Sequence, residues 1–394
     1  MAQNTTVSSA QPRTTSSLLA EIGYGTAAEL ILSVRYTNSP FGPTFLGSLD
    51  DKLLQHRPHV GSSTLQRGDL VEIIGSSDLG KTSLASFLLL TTLLPSSIKL
   101  SGGTEVPLGG RNAHASLIFP ITHRSIVPTL AESMRSHVAS MISAARPTET
   151  QFDDGDISSI IDTIVRTSLA RLEVIRIKPR WKNWCLALRS ILSPPDLTLD
   201  FSGLRYTNHG MSLVVCDGFA DGFWPERWHE EERSGRKAQG LRGGDDVGMR
   251  DVMEMVGRLR KELGAIVVLT IQGIWQAGHT QFFTPHLSPP YPTPFTANPD
   301  DQPARSRDDP LHWPLNLQFT LIGRDRQMQL PADITLVDAM RTEQPLELQN
   351  FRGLFRVSRS HKVGGSKEGT KFSWRIGPEG PEGWDDPDDD MDMS

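Results

Sequence analysis

The sequence predicts an α/β fold, with a mostly parallel central sheet flanked by helices and an antiparallel extension toward the C-terminus. Three observations carry that prediction. Residues 213–216 are an unbroken apolar run and 265–271 are apolar apart from Thr270, the pattern of strands buried on both faces of a parallel sheet. Segments with helical periodicity separate such runs, so strand and helix alternate along the chain. Finally, Gly75-Ser76-Ser77-Asp78-Leu79-Gly80-Lys81-Thr82 matches G-x-x-x-x-G-K-[ST] without a mismatch. That motif requires a strand before it and a helix after it, and residues 70–74 and 81–94 have those characters.

Taken in order, residues 1–17 are rich in Ser, Thr and Gln and are expected to form a disordered arm. Residues 18–66 read as a short helical segment, with helix over 18–36 and a turn of helix near Leu53. From 67 to 377 the chain reads as one domain. A strand at 70–74 leads into the glycine loop, and Pro95 stops the helix that follows. Residues 101–113 read as a glycine-rich loop and 117–119 as a short buried strand. Apolar residues at helical spacing predict helices over 126–145 and 156–172. A strand at 173–177 and a helix at 181–192 come next, then the 213–216 strand ending on Asp217. Residues 229–249 read as a charged loop insertion. Val252, Met255, Val256, Leu259 and Leu263 mark one face of a helix over 251–263. A strand over 265–271 follows.

Residues 276–314 are crowded with proline and read as a second insertion. Segments 317–322, 353–358 and 371–376 then alternate like antiparallel strands, the last two pairing around Gly364-Gly365. Residues 378–394 carry acidic side chains and no basic ones, and are expected to be disordered.

Composition narrows the function classes. Net charge is −6, so no global basic field draws the chain to nucleic acid, and any such contact must be local. Two cysteines, Cys185 and Cys216, fit neither a disulfide framework nor a metal motif. The N-terminal stretch lacks the apolar core of a secretory signal. No run approaches the ~20 apolar residues of a membrane span, so no membrane association is expected.

The glycine loop is the specific signal. Average residue usage gives about one chance match per hundred chains of this length. In such a loop, backbone amides and the helix N-terminus face the phosphates of a nucleotide. Lys81 would reach the β and γ phosphates, and the Thr82 hydroxyl would hold Mg²⁺. The expected ATP contacts are Gly75, Ser76, Ser77, Asp78, Leu79, Gly80, Lys81, Thr82 and Ser83. Leu79 is large for its place, and Asp78 adds negative charge beside the phosphate seat. Asp217, closing an apolar strand, is the expected second Mg²⁺ ligand.

These segments resemble the recombinase paralogues of the RecA superfamily. The resemblance is carried by 70–95, by Asp217 followed by Phe223-Trp224, by Thr270-Ile271-Gln272-Gly273-Ile274, and by the closing Phe372-Ser373-Trp374-Arg375-Ile376-Gly377. It spans roughly residues 66–377 outside the two insertions and implies a RecA-like P-loop core. It also implies a γ-phosphate-sensing role for Gln272. RecA-type hydrolysis uses a carboxylate base just after the strand that follows the P-loop helix. Here that stretch holds Thr122 or His123 and no carboxylate, so hydrolysis is expected to be weak or absent.

Residues 18–66 are too few for the helical DNA-binding domain of a full recombinase, and 33–66 contain no Phe-x-x-Ala plug. The resemblance therefore implies a nuclear adaptor subunit in homologous-recombination repair. Its partners would be another recombinase paralogue and single-stranded or branched DNA. Arg233, Arg236, Lys237 and Arg242 in 229–249 are the candidate DNA contacts, with Trp275, Phe282, Phe283 and Tyr291 as candidate stacking residues. Phe223, Trp224 and Trp228 read either as a partner anchor or as core. Two other readings stay open: an active P-loop enzyme, either a DNA-dependent ATPase or a small-molecule kinase, and a scaffold with vestigial nucleotide binding.

Overall fold

The computed structural model describes residues 41–56, 64–77, 79–100, 103–145, 154–192, 211–238, 247–275, 282–283, 315–324, 349–357, 370–377 and 380–383. The expected arm at 1–17, the helix over 18–36, Asp78, Arg242, Tyr291 and the Gly364-Gly365 turn lie outside them.

The elements run in this order: α1 (Gly47–His56), β1 (Leu70–Gly75), α2 (Lys81–Leu93), β2 (Ser97–Lys99), β3 (Glu105–Pro107), β4 (His114–Pro120), α3 (Val127–Ala145) and α4 (Asp154–Leu169). There follow β5 (Leu172–Ile177), α5 (Trp181–Leu192), β6 (Met211–Cys216), α6 (Phe223–Ala238) and α7 (Met249–Arg258). After a wide π turn at Leu259–Leu263 come β7 (Ile266–Gln272), β8 (Ile274–Trp275), β9 (Phe282–Phe283), β10 (Leu317–Arg324), β11 (Gln349–Val357), β12 (Thr370–Gly377) and β13 (Gly380–Gly383).

The main sheet has the order β13-β12-β11-β10-β1-β7-β6-β4-β5. Strands β10, β1, β7, β6, β4 and β5 are mutually parallel. Strands β11, β12 and β13 continue it antiparallel. This matches the predicted class, with one correction at β10. That strand is antiparallel only to β11 and closes the parallel section against β1.

Period-two alternation explains the apolar runs. Val71, Ile73, Leu213, Val215, Ile266 and Val268 pack on the face that holds α2 and α3. Leu70, Ile74, Val214, Cys216, Val267 and Leu269 pack on the opposite face with α5 and α7. A strand covered on both sides has no face for polar residues. On the second face, Trp181 and Trp184 set their rings against Phe219 at 5.7 and 5.3 Å. That contact fixes the segment following β6.

Helix α2 is apolar around most of its circumference and is buried from Leu84 through Leu93 except at Ser86. Its core contacts hold its N-terminus at the carboxyl edge of the sheet. At the other end of the sheet, Arg260 in the π turn donates to Asn316 Oδ1 at 2.6 Å, and the same oxygen accepts from the Leu70 amide at 2.9 Å. This ties β1 to the start of β10.

Four expectations are corrected. The 101–113 loop contains β3, which pairs with β2. The charged 229–249 insertion continues α6 as far as Ala238, because Arg227–Glu231 at i,i+4 joins a helical rather than a loop spacing. The 276–314 insertion contains β9, paired with β8. The acidic tail begins with β13, whose backbone pairs with β12 between Gly377 and Trp374. Among the described residues, no helix is long and apolar enough to cross a membrane.

Candidate functional site

Where β1 gives way to α2, the backbone makes a tight loop. Gly80 caps the helix with φ +76, a left-handed conformation costly to any residue with a Cβ. Gly75 lies close under β10, where a Cβ would stand 2.9 Å from the Leu321 carbonyl oxygen. The first turn of α2 carries no acidic residue and no side-chain cap, so its amides face outward at the positive end of the helix. Ser76 and Ser77 are exposed, while Leu79, Gly80, Lys81, Thr82 and Ser83 are partly buried. Leu79 packs against the core, which explains a large side chain at that place. Lys81 Nζ donates to the Ser76 carbonyl at 2.5 Å, inside the loop it belongs to.

Asp217 stands at the end of β6, two strands from β1, and is buried. The Thr82 hydroxyl donates to its Oδ1 at 3.3 Å, with Oδ2 at 3.5 Å. From β7, the Thr270 hydroxyl donates to Asp217 Oδ1 at 2.5 Å and accepts the Gly218 amide at 2.9 Å. The Asp217 amide itself donates to the Ile118 carbonyl of β4 at 2.9 Å. Three neighbouring strands therefore fix one carboxylate. At the end of β7, Gln272 Nε2 donates to Ser77 Oγ at 3.1 Å.

Residues 135 and 195 positions apart are thus joined in one cleft, at the carboxyl ends of parallel strands where α/β sheets bind ligands. The donor set suits Mg²⁺, which prefers oxygen ligands and keeps several waters. Thr82 and Asp217 offer one hydroxyl and one carboxylate. Among the described residues no group of three or more His, Cys, Asp or Glu side chains stands together. A cation held here would therefore need further oxygens from a ligand.

The turn after β4 carries Thr122 and His123. Its backbone is held by Ile121 N to Ile177 O at 2.7 Å and His123 N to Pro120 O at 3.0 Å. Thr122 is exposed. His123 Nε2 lies 2.5 Å from Asp221 Oδ2. A carboxylate from the turn after β6 thus stands against the 117–124 segment, which has none of its own. Sequence reading missed Asp221, although it stands four residues past Asp217 in Asp217-Gly218-Phe219-Ala220-Asp221. Its partner is 98 positions away in sequence, a pairing that spacing could not reveal. Burial pushes the Asp221 carboxyl up, with Asp217 adding to the shift, while His123 and Lys81 pull it down.

The remaining predicted residues divide. The backbone at Arg233, Arg236 and Lys237 stands on α6. Phe223 is buried, whereas Trp224 and Trp228 are 55% and 69% exposed. The aromatic segment is therefore core at its first residue and open surface at the next two. Trp275 and Phe282 face each other in backbone register across β8 and β9. Cys216 is fully buried and its thiol is pushed up by burial; Cys185 is half-buried and pushed up to about 12. Neither is poised as a nucleophile. No protein-family model matches the chain, and no curated protein matches it.

Proposed function

We propose that the chain binds ATP with Mg²⁺ on a RecA-like P-loop core and acts as a recombinase paralogue, an adaptor in homologous-recombination repair. One observation carries the reading. The Gly75–Thr82 loop, Asp217 and Gln272 converge through Thr82–Asp217 and Gln272–Ser77 contacts at one edge of a parallel sheet. In this reading the loop amides and Lys81 hold the phosphates, Thr82 and Asp217 hold Mg²⁺, and Gln272 couples the γ-phosphate to Ser77 and the chain beyond β7. Hydrolysis is slow. The antiparallel strands β11–β13 favour this reading over a small-molecule kinase.

The exposed pair Trp224 and Trp228, one helical turn apart, supports docking of a related paralogue in the nucleus. DNA contact, on single strands or branched structures, belongs to that assembly. The test is co-expression with related recombinase paralogues, for the wild-type chain and Lys81→Ala. The reading expects a stable hetero-oligomer whose bound ATP is lost in the variant. A chain that stays alone and carries no nucleotide would refute it.

A further inference from the structure

The turns after β4 and β6 meet only because Gly218 leaves room. Its φ is +70, and a Cβ there would stand 2.6 Å from His123 Cε1 and 3.0 Å from Asp221 Oδ2. The pair sits on the cleft rim with side chains 37% and 26% exposed. It is close enough to Lys81 and Asp217 for both charges to act on Asp221. A polar pair this open contributes little to stability. Burial meanwhile works against the Asp221 carboxylate. Groups retained at such a cost, in a cleft, mark sites of chemistry.

We propose that His123, oriented by Asp221, activates the water that hydrolyses ATP in this cleft; the proposal rests on the nucleotide-binding reading above. Asp221 accepts the Nε2–H of His123, which fixes the tautomer and leaves the lone pair on Nδ1. A water oxygen forms a bond to the γ-phosphorus. The bond from that phosphorus to the β,γ-bridging oxygen breaks, and its electron pair leaves with ADP. The water proton passes to Nδ1, the imidazolium is stabilised by Asp221, and the proton then leaves to solvent. His123 is the base and Asp221 a positioning residue.

The experiment uses the full chain. Single-turnover hydrolysis of Mg-ATP and equilibrium ATP binding are measured on the same samples of wild type, His123→Ala, Asp221→Asn and Asp221→Glu. His123→Ala should lower the rate by about 10²-fold or more with affinity unchanged. Asp221→Asn should lower kcat and not KM, and Asp221→Glu should recover part of it. Added imidazole should restore part of the rate to His123→Ala, which a structural role would not produce. Equal rates in wild type and His123→Ala, or bound ATP that wild type never turns over, would overturn the proposal alone. Wild-type protein that binds no ATP would overturn the parent reading, and the proposal with it.

Discussion

Thr270→Val tests how the cleft is built. The substitution keeps shape and removes one hydroxyl. That hydroxyl donates to the buried Asp217 carboxylate at 2.5 Å and accepts the Gly218 amide at 2.9 Å. A hydrogen bond to a charged group is worth about 1.5–3 kcal/mol, and an unpaired buried donor costs about 1–3 kcal/mol. Because both losses arise from one group they overlap, and the combined cost is about 2–4 kcal/mol. Thr270→Ser keeps the hydroxyl and loses a methyl, for about 1 kcal/mol. Urea unfolding of both variants separates these effects. With a slope near 3 kcal/mol/M, Thr270→Val should lower the midpoint by roughly 1 M without changing the slope. A Thr270→Val midpoint equal to that of Thr270→Ser would show that Asp217 does not depend on the β7 hydroxyl as a hydrogen-bond partner.

Three further predictions concern the rim, the surface and the core. Asp221 is pushed up by burial, so its ionisation favours the unfolded chain. Wild-type stability, measured against Asp221→Asn, should therefore fall as pH rises above the ordinary aspartate value of 3.8 and level off once the raised native pKa is passed, read from urea midpoints at successive pH values; a flat difference would refute the assigned cause. Trp224→Ala with Trp228→Ala should shift stability by less than about 0.5 kcal/mol each and weaken assembly with a paralogue. Trp184→Ala, buried against Phe219, should cost about 3–5 kcal/mol in the same unfolding assay.

Much of this fold is legible because a parallel sheet imprints its burial on the sequence. Strands β6 and β7 are covered on both faces, so residues 213–216 and 266–269 are apolar without alternation, and their order around the glycine loop follows. The loop itself is legible because the G-x-x-x-x-G-K-[ST] pattern sets Gly80, Lys81 and Thr82 at fixed places. What escaped depends on distant partners. Glu72 sits at 0% exposure inside β1, where its Oε1 accepts from Gln318 Nε2 at 2.7 Å. Nothing within β1 announces a partner 246 positions away. Asp221 and its pairing with His123 escaped for the same reason. Helix α6 escaped because its charged, glycine-containing sequence has no apolar stripe over 229–238. Strand β13 escaped because a backbone-paired edge strand needs no side-chain pattern.

The central claim is that Gly75–Thr82 and Asp217 form an ATP-Mg²⁺ site. Its most direct test is a calorimetric titration of the full chain with ATP, with and without Mg²⁺, for wild type and Lys81→Ala. The account predicts saturable binding that Mg²⁺ strengthens and that Lys81→Ala weakens by at least about tenfold, or about 1.4 kcal/mol. Binding that ignores both Mg²⁺ and Lys81, or no binding at all, would contradict it.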